Sequence, residues 1–302
     1  MRTLDFTNNR VELLTLDELK QTVHENYPNG HPVGDIYHFD LIERLLEILD
    51  RRNIGTEVTE IFAANNHDRY RPGVTISREV AERDGEGALS AHILRRVYAN
   101  IHLKSLTLSD EEIPNLAIAY TQRGIQIGVG PLVRVCHNQC ILSATDVFSN
   151  FSCYGRYKTP VAKTVEEMVM NFEKWSCALA DRLSQWENDI QVMKATACDE
   201  ERLQKFLGTL LCWYVQVESS DPKIHRNDVY PLNQTQIGHA ADIAVRELLT
   251  HQGHEPFTMW NLYNCTNIML KPGLASMPTI LPQSVALHDA IHASLYNHSY
   301  ED

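Results

Sequence analysis

Three short stretches of this chain gather the side chains that do chemistry. The first, Asn65-Asn66-His67-Asp68-Arg69, sets an imidazole beside a carboxylate and a guanidinium. That trio positions a phosphate or polarises a substrate. It also suits a turn in which Asn and Asp satisfy backbone donors. The second is Arg134-Val135-Cys136-His137-Asn138-Gln139-Cys140, where strand alternation puts Arg134, Cys136 and Asn138 in phase on one face. Two thiols and an imidazole suggest a metal. Zinc, however, wants four ligands at closed spacing, and no second Cys/His pair is near in sequence. A polar cluster at a sheet end is the expected role, and no metal. The third is His288-Asp289-Ala290-Ile291-His292, whose imidazoles at i and i+4 share one helix face as metal ligands do. Asp289 replaces the glutamate of HExxH, so a solvent-facing histidine pair is expected.

Catalytic candidates are therefore His67, Asp68 and His137, with Cys136 beside them. Anion-binding candidates are Arg69, Arg71, Arg123, Arg134, Asn138, Arg156 and Lys158. The formal charge of −12 argues against a protein that coats nucleic acid with its whole surface. Its distribution is uneven: residues 51–163 hold 14 Lys and Arg against 11 Asp and Glu, and the flanks hold 13 against 28. The centre is where an anionic ligand is welcome. No Walker loop, GxGxxG, GxSxG or dense basic run occurs.

The elements that must carry these residues change period near residue 160. Between 115 and 156, Ile118 and Tyr120 alternate with small residues, and Ile125, Ile127 and Val129 alternate with Gln126 and Gly128. Period two predicts an antiparallel meander with one buried face and an outer face carrying Gln126 and Arg134. Reversals are expected at Arg123-Gly124 and Gly130-Pro131. Further strands are read at 57–63, 73–78 and 101–108, with a short helical run around 92–97. After a Thr164-x-x-Glu167 capping box, apolar residues from Val165 to Met193 recur at steps of 3 and 4. They predict one helix of nearly thirty residues, ~45 Å long. Further helices follow at 201–217, 236–250, from Pro256, and at 284–296, and FDLIERLLEIL at 39–49 is amphipathic. The fold class is α+β: an antiparallel curved sheet in the N-terminal half, backed by a long helix, with a helical C-terminal half. The units are a helical entry at 1–56, an antiparallel meander carrying the polar site at 57–160 and a helical region packing on the sheet at 161–302, together one intimate body. Seven scattered cysteines without a CxxC, and no bilayer-length apolar run, predict free thiols in a cytoplasmic protein.

His67-Asp68 after a strand, Val133-Arg134-Val135-Cys136-x-Asn138, and Trp260-Asn261-Leu262-Tyr263-Asn264 together resemble the phage/plasmid-like family of mobile-element proteins, in its Bacteroidetes-type branch. The resemblance covers most of 55–270. It implies tasks of mobile elements, among them DNA recombination, replication and counter-defence. The leading expectation is a nucleic-acid-binding protein similar to single-strand annealing factors. Single-stranded DNA and other copies of the chain would be its partners, without cofactor or membrane. Two alternatives stand beside it: a counter-defence protein that binds a host partner, and a hydrolase using the His67, Asp68, Cys136 and His137 cluster.

Overall fold

The computed structural model describes residues 11–20, 36–64, 96–121, 124–133, 138–151, 161–219, 230–251, 256–270 and 279–296. They form an α+β molecule. Seven antiparallel strands come first: β1 (Val11–Leu14), β2 (Thr56–Ala64), β3 (Arg96–Leu103), β4 (Glu112–Thr121), β5 (Gly124–Val133), β6 (Asn138–Gln139) and β7 (Val147–Phe151). β1 to β5 lie in sequence order, and both β6 and β7 pair with β5. Before β2 come a short helical stretch at 16–20 and the helix α1 (His38–Arg51). Six helices follow the sheet: α2 (Val161–Ser176), α3 (Leu179–Ala195), α4 (Glu200–Ser219), α5 (Gln234–His251), α6 (Met259–Asn267) and α7 (Ile280–Tyr296). One continuous cluster of buried apolar side chains runs from Leu19 to Ile291. No described helix is long and apolar enough to cross a membrane.

The central strands are covered on both sides, which corrects the expectation of an outward polar face. Gln126 is 1% exposed, and Ala117 and Ala119 are as buried as Ile118 and Tyr120. The two faces differ in what fits on them. Tyr120 faces the start of α1, donating its hydroxyl to the Ile36 carbonyl at 2.8 Å and meeting the His38 ring edge-on. On the other face, Ala117 pairs with Gly128 and Ala119 with Gln126. A Cβ on Gly128 would stand 3.0 Å from both Ile141 and Leu281. Gly128 is a slot for Ile141 and for Leu281 of α7.

β5 also runs straight through Gly130-Pro131, where a reversal was expected, and Pro131 stands opposite Pro114. Two prolines face each other without loss where a pair exchanges no N–H bonds. Of the helical run read around 92–97, Arg96 and Val97 instead open β3, and 92–95 lie outside the described residues. β3 closes at Leu103 rather than 108. The strand read at 73–78 lies outside the described residues.

The single long helix is in fact two. α2 opens at Val161, so Thr164 stands within its first turn rather than capping it. At its end the Cys177 and Ala178 N–H groups bond back three residues, to Lys174 and Trp175. The Ser176 hydroxyl adds a bond to the Glu173 carbonyl at 2.6 Å. In a straight helix Trp175 and Trp186 would be about 16 Å apart along the axis. The break lets them stack with ring centroids 6.3 Å apart. α1 is tied to α2 by a two-pronged Arg44–Glu166 pair and α3 to β4 by Lys194–Glu112 at 2.8 Å. α6 starts from a reciprocal Thr258–Asn261 capping box.

α1 buries Leu41, Ile42, Leu45, Ile48 and Leu49, and with them His38. Neither His38 ring nitrogen finds a hydrogen-bond partner among the described residues. Burial pushes its pKa from 6.5 down to about 4. The unfolded chain therefore binds a proton at His38 that the native chain refuses, and stability falls as pH drops from about 6.5 toward 4. At pH 5 this group alone costs about 2 kcal/mol. His38→Leu should raise stability by ~1–3 kcal/mol at pH 7 by removing two unpaired polar atoms. Its advantage over the wild type should grow by about 2 kcal/mol at pH 5 in urea titrations. Equal pH slopes for the two proteins would refute this account.

Candidate functional site

Of the catalytic and anion-binding candidates read from sequence, Asn138 alone belongs to a described element, pairing with Val133 in β6. His67, Asp68, Arg69, Arg71, Arg123, Arg134, Cys136, His137, Arg156 and Lys158 lie outside the described residues. Strand register nevertheless fixes where their segments attach. Ala64 pairs with Arg96, Thr121 with Gly124, and Gly124 with Phe151. Segments 65–95, 122–123 and 152–160 therefore all leave from one end of the sheet. Val133 pairs with Glu112 and Asn138 at the opposite end, where segment 134–137 attaches. Gly124 and Val133 bound β5 and are about 30 Å apart at ~3.4 Å per residue. Arg69, Arg71, Arg123, Arg156 and Lys158 belong to segments at one end, Arg134, His137 and Asn138 to the other.

Near the second end Gln139 joins two asparagines of neighbouring strands in a polar cluster. Asn115 donates to Asn100 Oδ1 at 3.1 Å and to Gln139 Oε1, and Gln139 Nε2 donates to the Gly130 carbonyl at 3.3 Å. Cys140 is fully buried, with its Sγ accepting from Asn267 Nδ2 at 3.2 Å.

A second concentration of chemistry was not foreseen. A cleft of about 730 Å³ opens between the 143–146 turn, α3 and α7, lined by Asp146, Arg182, Asp189, His288, Asp289 and His292 among others. Asp146 sits at its inner wall, fully buried, in a short 3-10 turn capped by Ser143. Trp175 and Trp186 donate their indole N–H groups to its two oxygens, at 3.0 and 2.9 Å, and Arg182 Nε stands 3.7 Å away. Burial raises the Asp146 pKa against the lowering pull of those donors.

Across the cleft, α7 presents His288 and His292 with ring centroids 4.3 Å apart. His292 Nε2 is 3.9 Å from Asp189 Oδ1 of α3. His288 is 4% exposed, so the expected solvent-facing pair is corrected: one imidazole is interior. Its cause is α7 itself, where Val285, Ala286, Leu287, Ala290 and Ile291 are all buried, leaving little solvent face. Burial, with the neighbouring His292, pushes the His288 pKa down to about 3 and keeps the ring neutral. Burial raises Asp189 and Asp289 as well, and His292 opposes both shifts.

No family model, curated protein or solved structure matches this chain. Its function must be argued from its own geometry. The i,i+4 histidine spacing was the one sequence signal that led to the cleft. Asp146 and Asp189 gave none, because each meets its partners only through packing against helices distant in sequence.

Proposed function

We propose that this chain is a mobile-element protein that binds single-stranded nucleic acid, of the annealing or recombination type, through the segments at the Gly124 end of its sheet. The observation that carries the reading is the register, which anchors 65–95, 122–123 and 152–160 side by side. These segments hold eight Lys and Arg against five Asp and Glu, in a chain whose net charge is −12. Their anchors span four strand spacings from β2 to β7, about 19 Å at ~4.8 Å each. That width lets several basic side chains follow one phosphate backbone, an arrangement suited to binding without base readout. The resemblance of the His67-Asp68, Arg134 and Trp260 motifs to phage/plasmid-like proteins supports the same context.

The test is fluorescence anisotropy with a labelled single-stranded oligonucleotide across a salt series, with native mass measurement of the assembly. Contact with four to five phosphates predicts a log–log salt slope of about −3, since each contributes about −0.7. Arg123→Ala and Lys158→Ala should each weaken binding and flatten the slope by about 0.7. Arg134→Ala, attached at the other end, should do neither. Binding that ignores salt, or an Arg134→Ala loss larger than that of Arg123→Ala, defeats the proposal.

A further inference from the structure

The geometry points to a binding site for a first-row divalent cation of the zinc class, held by Asp189 on α3 together with His288 and His292 on α7. One ligand atom from each of the three residues lies within 4.8 Å of those of the other two. Around a tetrahedral zinc with bonds of ~2.1 Å, ligand atoms stand about 3.4 Å apart. The 3.9 Å between His292 Nε2 and Asp189 Oδ1 is thus about half an ångström from a coordinating distance. Side-chain rotation alone closes it, because α3 and α7 already fix the backbones.

The second observation is the state of His288. It is 96% buried, and neither of its ring nitrogens has a hydrogen-bond partner among the described residues. Buried polar groups are nearly always paired, so an interior imidazole with both nitrogens unmet is an anomaly that asks for a ligand. A metal bond to one nitrogen answers it. Two imidazoles and a carboxylate are a donor set for zinc, iron, cobalt or nickel rather than for calcium or magnesium.

Three protein ligands leave at least one coordination position, and that position faces the 730 Å³ cleft. Water or an anionic group takes it, beside the Arg182 guanidinium. The site is independent of the nucleic-acid reading. It is built from α3, α7 and the 143–146 turn, with no part of the sheet-end segments.

The experiment is calorimetric titration of the full, chelator-treated chain with zinc chloride, and a visible spectrum of the same protein loaded with cobalt(II). The expected result is one ion per chain and a ligand-field spectrum of low symmetry. Asp189→Asn and His292→Ala should each weaken binding at least the roughly 10–100-fold that loss of a supporting partner alone costs. His239→Ala, an exposed histidine on α5, should leave it unchanged. His288→Gln removes the buried ligand. Should it fail to fold, Asp189→Asn and His292→Ala, both nearer the surface, still decide the matter. Absence of stoichiometric binding overturns the proposal. So does equal weakening by His239→Ala, or loss on Asp289→Asn with Asp189→Asn unaffected.

Discussion

Gly130→Ala should cost at least ~4 kcal/mol and leave little folded protein, an effect of the size reserved for a gross steric conflict. A Cβ at this position would lie 2.0 Å from the Cys140 carbonyl oxygen and 3.1 Å from its carbon. Neither backbone can step aside. The Cys140 N–H donates to the Pro131 carbonyl at 2.8 Å, and Gln139 donates to the Gly130 carbonyl itself. Leu132 pairs with Gln139 and Val133 with Asn138, so β6 is fastened to β5 directly beside the contact. Relief of the clash would peel β6 away and unseat Asn267, which donates to the Gln139 carbonyl. Gly208→Ala is the control. It sits inside α4 with nothing within 4 Å of the added methyl, and should stabilise by roughly 0.5–1 kcal/mol. Urea unfolding of the two variants beside the wild type gives both numbers. A Gly130→Ala protein within about 1 kcal/mol of wild type would mean that β6 is not held as described.

The same glycine explains where the sequence could and could not be read. Helices α4, α5 and α7 and strands β2, β4 and β5 carry their own periodicity, so class and order were legible. The alternation in β4 and β5 was also real. What misled was the meaning of its second phase, because Gly128 looks like part of an outer face and in fact lies against Ile141 and Leu281, while Gly130 looks like a reversal and in fact meets Cys140. A small residue in a strand marks either exposure or close approach, and only the tertiary partner says which. The break between α2 and α3 was hidden for a related reason. Steps of 3 and 4 continue through Trp175 and Trp186, and the turn between them serves an aspartate from another element. At the cleft, the i,i+4 spacing of His288 and His292 was visible. Asp189 lies 99 positions before His288 on a helix that otherwise reads as an ordinary amphipathic one. No local pattern announces a carboxylate delivered by helix packing.

Asp146→Ala should destabilise the chain by ~2–6 kcal/mol, because it strands two buried indole N–H groups at ~1–3 kcal/mol each. Both donors point at one carboxylate, Trp175 to Oδ1 and Trp186 to Oδ2, and the aspartate is fully buried. Burial raises its pKa, so the charged form carries a desolvation cost that truncation returns, which argues for the lower half of that range. Asp146→Asn tests the arrangement more finely. It keeps one acceptor and turns an NH₂ group toward the second indole, so its loss should fall near that of a single stranded donor. Trp186→Phe removes one N–H together with part of a fully buried ring, a packing loss that the cycle subtracts. In a double-mutant cycle with Asp146→Ala it should therefore recover a coupling of about 0.5–3 kcal/mol. Far more than one bond is at stake. Trp175 also packs on Phe172 and Phe148, so the carboxylate fixes the rings that join α2, α3 and β7. If the pair of indoles is what seats α3, then Asp146→Ala should also disturb the cleft that α3 shares with α7. Near-ultraviolet circular dichroism would report the loosened tryptophans, and cobalt(II) binding at Asp189 would weaken in the same variant. An Asp146→Ala protein with unchanged stability and unchanged aromatic dichroism would show that the two indoles are positioned by packing alone.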